Sequence, residues 1–143
     1  MPVTIKKEKQ SIITKSLIWF ASIVAIIIFN GCNDNSDRMV YETKPVKLFK
    51  AEELIKELHF NKTSFKDHVV EVKGVVKEVN SLNSRNTLIL KGKSSLDTLI
   101  ICDVQANQVV FLEALEVGAT VTVKGILKGS LKDIILLNCI ISN

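Results

Sequence analysis

Two stretches of this sequence share one strand pattern, and a glycine interrupts it at the same place in each. Residues 70–77 read VEVKGVVK, and residues 121–128 read VTVKGILK. Apolar and polar residues alternate in both, which is the period of a half-buried strand. A glycine on the inward-facing side of a strand typically marks a bulge or a sharp bend where a side chain would clash. The repeat therefore predicts two strands that bend at Gly74 and Gly125, as strands do at the corners of a barrel.

The rest of the pattern predicts three further strands and two helices. The predicted helices are Lys50 to Phe60 and Gln105 to Val117, and the predicted strands are Val69 to Val79, Thr87 to Leu90, Leu96 to Val104, Ala119 to Leu127 and Ile134 to Ile141. This order favours a mainly β fold, a five-stranded OB-fold barrel with a helix before strand 1 and a helix between strands 3 and 4. The alternative is a convergent strand pattern in a different small β-fold. The position of the second helix favours the barrel.

The N-terminal segment has the pattern of a lipoprotein signal. Four lysines accompany a hydrophobic run from Leu17 to Phe29, which is shorter than the roughly 20 residues that a membrane-spanning helix needs. Phe29-Asn30-Gly31-Cys32 is similar to a lipobox, in which a signal peptidase cuts before a cysteine that receives lipid, although Asn30 departs from the usual small residue. The alternative is an uncleaved signal anchor with an ordinary cysteine at the membrane surface.

We expect three parts along the chain. Residues 1–31 form a signal peptide, residues 32–47 comprise the lipidated Cys32 and a flexible, turn-rich tether, and residues 48–143 form the OB-fold domain. This organisation predicts a protein of the bacterial cell envelope. An N-terminal lipid would anchor it to the membrane, with the domain outside the cytoplasm.

The net positive charge belongs mostly to the signal segment. The whole chain has 19 Lys and Arg against 15 Asp and Glu, but residues 1–31 hold four lysines and one glutamate, so the remainder carries 15 against 14. Lys and Glu are interspersed there, whereas a nucleic-acid-binding surface needs clustered Lys and Arg. The charge pattern argues against a nucleic-acid partner.

Three cysteines are present: Cys32, Cys102 and Cys139. If Cys32 carries lipid, the other two remain as a pair in a compartment where disulfides form. A bridge between them would stabilise the domain by roughly 2–4 kcal/mol. The alternative, which the spacing leaves open, is a pair of buried thiols that pack as small apolar groups. Because no CxxC motif or close Cys/His pair occurs, we expect no metal and no cofactor.

Several features in the expected domain occur together in a known family. They are Phe65, Val72 to Val76, Ile100-Ile101-Cys102, Gly118 to Gly125 and Leu131 to Cys139. In their order and spacing, residues 48–142 resemble the tRNA-anticodon-binding-like OB-fold family of small exported bacterial proteins. The resemblance implies an OB fold, no catalytic residues and no established ligand. It also implies that strands 3 and 5 pair, which favours a Cys102–Cys139 disulfide.

No pattern of catalytic residues is present, so the sequence predicts a binding protein that is not an enzyme. His59 and His68 have no nucleophile or ligand set nearby, and no phosphate loop or HExxH motif occurs. Single-stranded nucleic acid is bound on OB barrels by aromatic stacking, yet the first three predicted strands contain no aromatic residue. We expect Phe49, Phe60, Phe65 and Phe111 to pack in the core or against helices.

The sequence therefore predicts an envelope-tethered, non-catalytic OB-fold lipoprotein that contacts an envelope protein or a small ligand. The alternative is a membrane-anchored OB protein that binds single-stranded nucleic acid. The candidate binding face lies on outward strand positions and the adjoining loops. Its residues are Lys73, Val75, Lys77, Arg85, Lys91 and Lys93.

Overall fold

The computed structural model describes residues 35–61, 64–93 and 97–142. The α-helices are α1 (Asn35–Glu42), α2 (Ala51–Phe60) and α3 (Val109–Glu113), and the strands are β1 (Leu48–Lys50), β2 (Val69–Asn80), β3 (Thr87–Lys91), β4 (Ile100–Val104), β5 (Thr120–Ser130) and β6 (Ile134–Ser142). Short 3-10 turns span Leu82–Ser84 and Ala106–Gln108. Within these residues, no helix is long and apolar enough to cross a membrane.

Strands β2 to β6 form a closed barrel. Their order is β2-β3-β4-β6-β5, and β5 pairs again with β2. The long strand β2 makes closure possible, since Val69–Val75 pairs with β5 and Val75–Asn80 pairs with β3. Strands β4 and β6 are parallel, and they are the third and fifth strands of the barrel. The predicted OB-fold barrel, with one helix before its first strand and a short helix between its third and fourth, is confirmed.

Helix α2 packs its apolar stripe into the barrel core. Ala51, Leu54, Ile55 and Leu58 are all buried, as their helical spacing predicts. The Glu53 carboxylate accepts a hydrogen bond from the Lys50 backbone N–H at 3.3 Å, which satisfies one group at the start of the helix. The predicted helix from Lys50 to Phe60 is therefore present, with a one-residue difference at its start.

The segment expected to be a flexible tether differs from that expectation. Residues Asn35–Glu42 form α1, and the Val40 side chain is fully buried against Val69 and Ile126 on the outside of the barrel. The Gln105 amide holds the helix as well, because its Nε2 donates to the Asp37 carbonyl at 3.1 Å. A polar segment without an apolar stripe forms a helix here because one valine fits a patch that the barrel provides.

The second predicted helix, Gln105 to Val117, is much shorter in the structure. The turn Ala106–Gln108 leads into the five-residue helix α3, in which only Leu112 is fully buried; Val109 and Leu115, which share its helical spacing, are half-buried. The third barrel strand begins at Ile100 rather than Leu96, which lies outside the described residues.

Two of the four phenylalanines expected to pack inside do not. Phe49 is buried, and its ring meets Phe65 edge to face with centroids 5.3 Å apart. Phe60 and Phe111 are 81% and 53% exposed, because each lies on a helix face that no described element covers. The expectation that all four pack inside was therefore wrong for these two.

Candidate ligand site

Strand β1 brings two lysines together that are far apart in sequence. It runs parallel to the first half of β2, so that Lys50 is the register partner of Lys73. Both side chains are exposed. Since like charges at directly opposed positions of a sheet destabilise it, this arrangement leaves a repulsion that an anion would relieve.

The end of β3 adds two further lysines. Lys91 is the register partner of Val75 on β2, whose other neighbour is Thr120 on β5. Beyond Lys91 the backbone passes close to the start of α2: a Cβ built at Gly92 would lie 3.2 Å from the backbone nitrogen of Glu52. This approach brings the chain around Lys91 and Lys93 beside the first turn of α2.

These residues line one cavity of about 420 Å³ on the barrel surface. Four of its side chains are lysines and one is a carboxylate. Its full lining is Lys50, Glu52, Lys73, Gly74, Val75, Lys91, Lys93 and Thr120. Within the described parts of the chain, the ion pairs are Arg38–Glu42 and Lys128–Asp67, so no carboxylate there pairs with the four lysines. We call this cavity the lysine pocket; it is a concave, predominantly positive surface suited to an anion.

The lysine pocket contains four of the six residues predicted as a binding face: Lys73, Val75, Lys91 and Lys93. Lys77 does not line it, because a register irregularity between Val76 and Glu78 interrupts the strand at that point. Arg85 lies in the loop before β3, at the opposite end of that strand.

Sequence reasoning missed the remaining lining residues, above all Lys50, Glu52 and Thr120. Strand β1 has three residues, which is too short for a period to be recognised. Its parallel pairing with β2 is a tertiary contact. The lysine content around residue 50 was visible in the sequence, but its proximity to Lys73 was not.

A second surface cavity, of about 300 Å³, is less suited to a charged ligand. It is lined by two lysines, two glutamates and two phenylalanines: Lys47, Phe49, Glu53, Lys56, Glu57 and Phe60. The Lys47 ammonium already lies 4.6 Å from the centre of the Phe49 ring, where it makes a cation–π contact. The two lysines and the two glutamates balance in charge, so this cavity favours neither an anion nor a cation.

Cys102 and Cys139 are buried neighbours in the barrel core. Both are free thiols in the structure, and they lie on the paired strands β4 and β6. Burial raises the pKa of the Cys139 thiol well above its ordinary value of 9.0, and the neighbouring Cys102 adds to the effect. The two thiols form no bridge in the structure, and the disulfide stays a prediction. Cys32 lies outside the described residues.

The two histidines make local contacts with residues close to them in sequence. His68 is exposed, and its Nδ1 is bonded to the carbonyl of Lys66 at 2.9 Å. His59 packs edge to face against the ring of its neighbour Phe60. In residues 35–61, 64–93 and 97–142, no three His, Cys, Asp or Glu side chains cluster in a way that could hold a metal ion.

The comparison with protein families agrees with this geometry. The family model described as tRNA_anti-like matches residues 6–141, almost the whole chain. The chain belongs to the tRNA_anti-like family. The predicted resemblance is thereby confirmed. No curated protein matches this tRNA_anti-like sequence.

Solved structures are similar to this tRNA_anti-like domain at low sequence identity, and the one with the higher TM-score shares its fold. A candidate nucleic acid-binding lipoprotein from Klebsiella pneumoniae subsp. pneumoniae MGH 78578 is similar, with a TM-score of 0.58 and 13% identity over 75% of this chain and 98% of that one. A candidate aspartyl-tRNA synthetase from Leishmania major Friedlin has a TM-score of 0.46 and 14% identity, over 66% of this chain and 20% of that one. At these identities the likeness concerns the fold.

Proposed function

We propose that this protein is a non-catalytic, envelope-tethered lipoprotein whose OB domain binds an anionic ligand in the lysine pocket. The single observation that carries the ligand proposal is the convergence of four lysines, unpaired within the described residues, on one concave surface. Holding these ammonium groups together costs electrostatic energy, and a bound anion would offset that cost.

The tether is supported by the sequence. Cys32 lies three residues after the end of the hydrophobic run, in a stretch similar to a lipobox. The Klebsiella protein with this fold is itself named a candidate lipoprotein. Intact mass of the membrane-extracted protein tests the tether: loss of residues 1–31 and addition of a diacylglyceryl group and an acyl chain are expected. An unmodified full-length mass would instead mean a signal anchor.

Single-stranded nucleic acid is the second candidate ligand. The sequence argued against it because basic residues are dispersed along the chain, but the fold gathers four of them into one pocket. The same Klebsiella neighbour is named for nucleic-acid binding. Against this candidate, no aromatic side chain lines the lysine pocket, and aromatic stacking is the usual source of affinity for single strands.

Two probes separate these ligand classes: inorganic tripolyphosphate, followed by calorimetry, and fluorescein-labelled (dT)12, followed by anisotropy. The test variant is Lys73→Gln/Lys91→Gln, and the matched control is Lys66→Gln/Lys132→Gln, which removes the same charge from exposed lysines outside the pocket. We expect tripolyphosphate binding that weakens about tenfold in the pocket variant and less than twofold in the control.

The outcomes distinguish the proposals. Binding of (dT)12 but not tripolyphosphate, with loss in the pocket variant, would favour the nucleic-acid function. In that case the logarithm of the binding constant should fall against the logarithm of salt with a slope of roughly −3, since four lysines can neutralise up to four phosphates. Equal binding by the pocket variant and the control would rule out the lysine pocket as the site for either probe.

A further inference from the structure

Exposed large apolar side chains occur in several places on the domain, and one group of them lies at one end of the barrel. This end of the barrel contains the C-terminal end of β2 and helix α3. The Ser81 hydroxyl, which directly follows β2, donates a hydrogen bond of 3.1 Å to Glu113 Oε1 in α3. Large apolar side chains are exposed around this end. They are Tyr41 (47%), Leu82 (71%), Val110 (73%) and Phe111 (53%), and we call them the apolar end.

Hydrogen bonds join the parts of the apolar end. The Tyr41 hydroxyl accepts from Gln108 Nε2 at 2.8 Å and from Asn107 Nδ2 at 3.2 Å. Val110 and Phe111 lie in α3, which begins directly after Gln108. Leu82 directly follows Ser81, the residue that bonds α3. The exposed side chains therefore belong to one region of the surface.

The chain also enters the domain at this end. Gln105 immediately precedes the turn into α3, and its amide Nε2 bonds the Asp37 carbonyl in the first turns of α1. Val40 then secures α1 by burial against Val69 and Ile126. Asn35, the first residue of α1, follows Cys32 by three residues. Three residues span at most about 10 Å. A lipid on Cys32 would thus hold the membrane surface close to the start of α1.

We propose that the apolar end contacts the lipid bilayer surface, so that the barrel is seated on the membrane with a defined orientation. This inference rests on the lipid anchor of the proposed function. Because α1 is docked on the barrel, the anchor leaves the domain little freedom to reorient. Transfer of exposed apolar side chains from water to the membrane interface is favourable and stabilises this orientation. A tyrosine in this set suits the interface, where an apolar ring and a polar hydroxyl are both satisfied.

This orientation leaves the lysine pocket accessible. Lys91 ends β3, whereas the loop that carries Leu82 precedes the start of β3, so pocket and apolar end lie at opposite ends of that strand. Glu113 and Glu116 are exposed near the apolar end, and so is Arg85 in the loop that carries Leu82, so this end has no net positive charge to attract anionic lipid. The contact is therefore apolar in origin, and we expect it to persist at high salt.

A tryptophan reporter tests the orientation. The chain has one tryptophan, Trp19, in the expected signal peptide. A Trp19→Phe background removes its fluorescence whether or not the signal peptide is cleaved. Phe111→Trp, with Val110→Trp as a second reporter, is placed in this background. The matched control is Phe60→Trp, because Phe60 is 81% exposed and ends α2, which leads to the opposite end of β2. The full lipoprotein is reconstituted in phosphatidylethanolamine–phosphatidylglycerol vesicles with shallow brominated acyl chains.

We expect bromine to quench both Phe111→Trp and Val110→Trp at least threefold more strongly than Phe60→Trp, equally in low and high salt. Protein that floats with the vesicles while its apolar-end reporters remain unquenched would overturn the orientation and leave the anchor standing. Such an outcome would point to a protein partner or a second copy on that end. Equal quenching of all three reporters would also overturn it. Protein without lipid by mass that fails to float would overturn the anchor and the orientation together.

Discussion

Val72 and Val123 are register partners at the centre of the pairing between β2 and β5, and both side chains are fully buried. The two stretches that repeat each other in the sequence therefore pair with each other, antiparallel, about this point. Each glycine of one stretch lies opposite the first valine of the other: Gly74 opposite Val121, and Gly125 opposite Val70. The sequence repeat corresponds to a local two-fold relation in the barrel wall.

Neighbouring atoms leave little room for a side chain at either glycine. A Cβ at Gly125 would lie 2.6 Å from the Cys139 Sγ and 3.1 Å from the Leu137 carbonyl oxygen. A Cβ at Gly74 would lie 3.2 Å from the Cβ atoms of Ala51 and Leu90. The clash at Gly125 is the more severe, and it links this corner to the cysteine pair.

We expect Gly125→Ala to lower the free energy of unfolding by roughly 1–3 kcal/mol, because the new methyl overpacks against Cys139. Gly74→Ala should cost less, since its neighbours need to move by only a few tenths of an ångström. Urea denaturation under reducing conditions measures both. In a Cys139→Ala background the cost of Gly125→Ala should shrink; an unchanged cost there would show that the sulfur contact is not its cause.

Val40→Ala tests whether α1 is docked. Loss of two buried methyl groups should weaken docking by roughly 1–3 kcal/mol, since Val40 contributes the buried apolar contact of this helix. Hydrogen exchange of the α1 amides should speed up while exchange in the barrel strands changes little. Met39→Ala, on the same helix but 42% exposed, is the control and should leave exchange nearly unchanged. Equal effects of the two variants would contradict docking through Val40.

The raised pKa of Cys139 predicts a loss of stability at alkaline pH. In the unfolded chain this thiol ionises near its ordinary pKa of 9.0, whereas the folded protein keeps it protonated to higher pH. Above about pH 9 the folded state therefore binds more protons, so the free energy of unfolding falls as pH rises, by up to about 1.4 kcal/mol per pH unit for one group. The stabilisation is fully present below pH 9.

Urea denaturation from pH 7 to pH 10.5 with reductant measures this effect. The comparison is with Cys139→Ala, whose stability is lower at pH 7 but should fall less between pH 9 and pH 10.5. Lysines and tyrosine titrate in the same range in both proteins, so the difference between the two curves isolates the thiol. Parallel curves would mean that Cys139 ionises alike in the folded and unfolded states.

Several features of the fold could be predicted from local sequence because they follow from a repeating pattern. The period-two strands and the interrupting glycines predicted β2 and β5, and helical spacing predicted α2. In contrast, α1 has no apolar stripe, and α3 is shorter than its sequence pattern suggested. Each helix has a single fully buried side chain: Val40 packs on the outside of the barrel, and Leu112 packs in the main core.

The sequence by itself determined the barrel, since alternation and glycine placement dictate which faces of each strand are buried and where it bends. Only the tertiary structure decided the lysine pocket and the apolar end. Lys50 meets Lys73 through the three-residue strand β1, and Tyr41 meets Gln108 through docking of α1. Such contacts join residues that are distant in the chain, and no local periodicity encodes them; they arise when the closed barrel positions its neighbours.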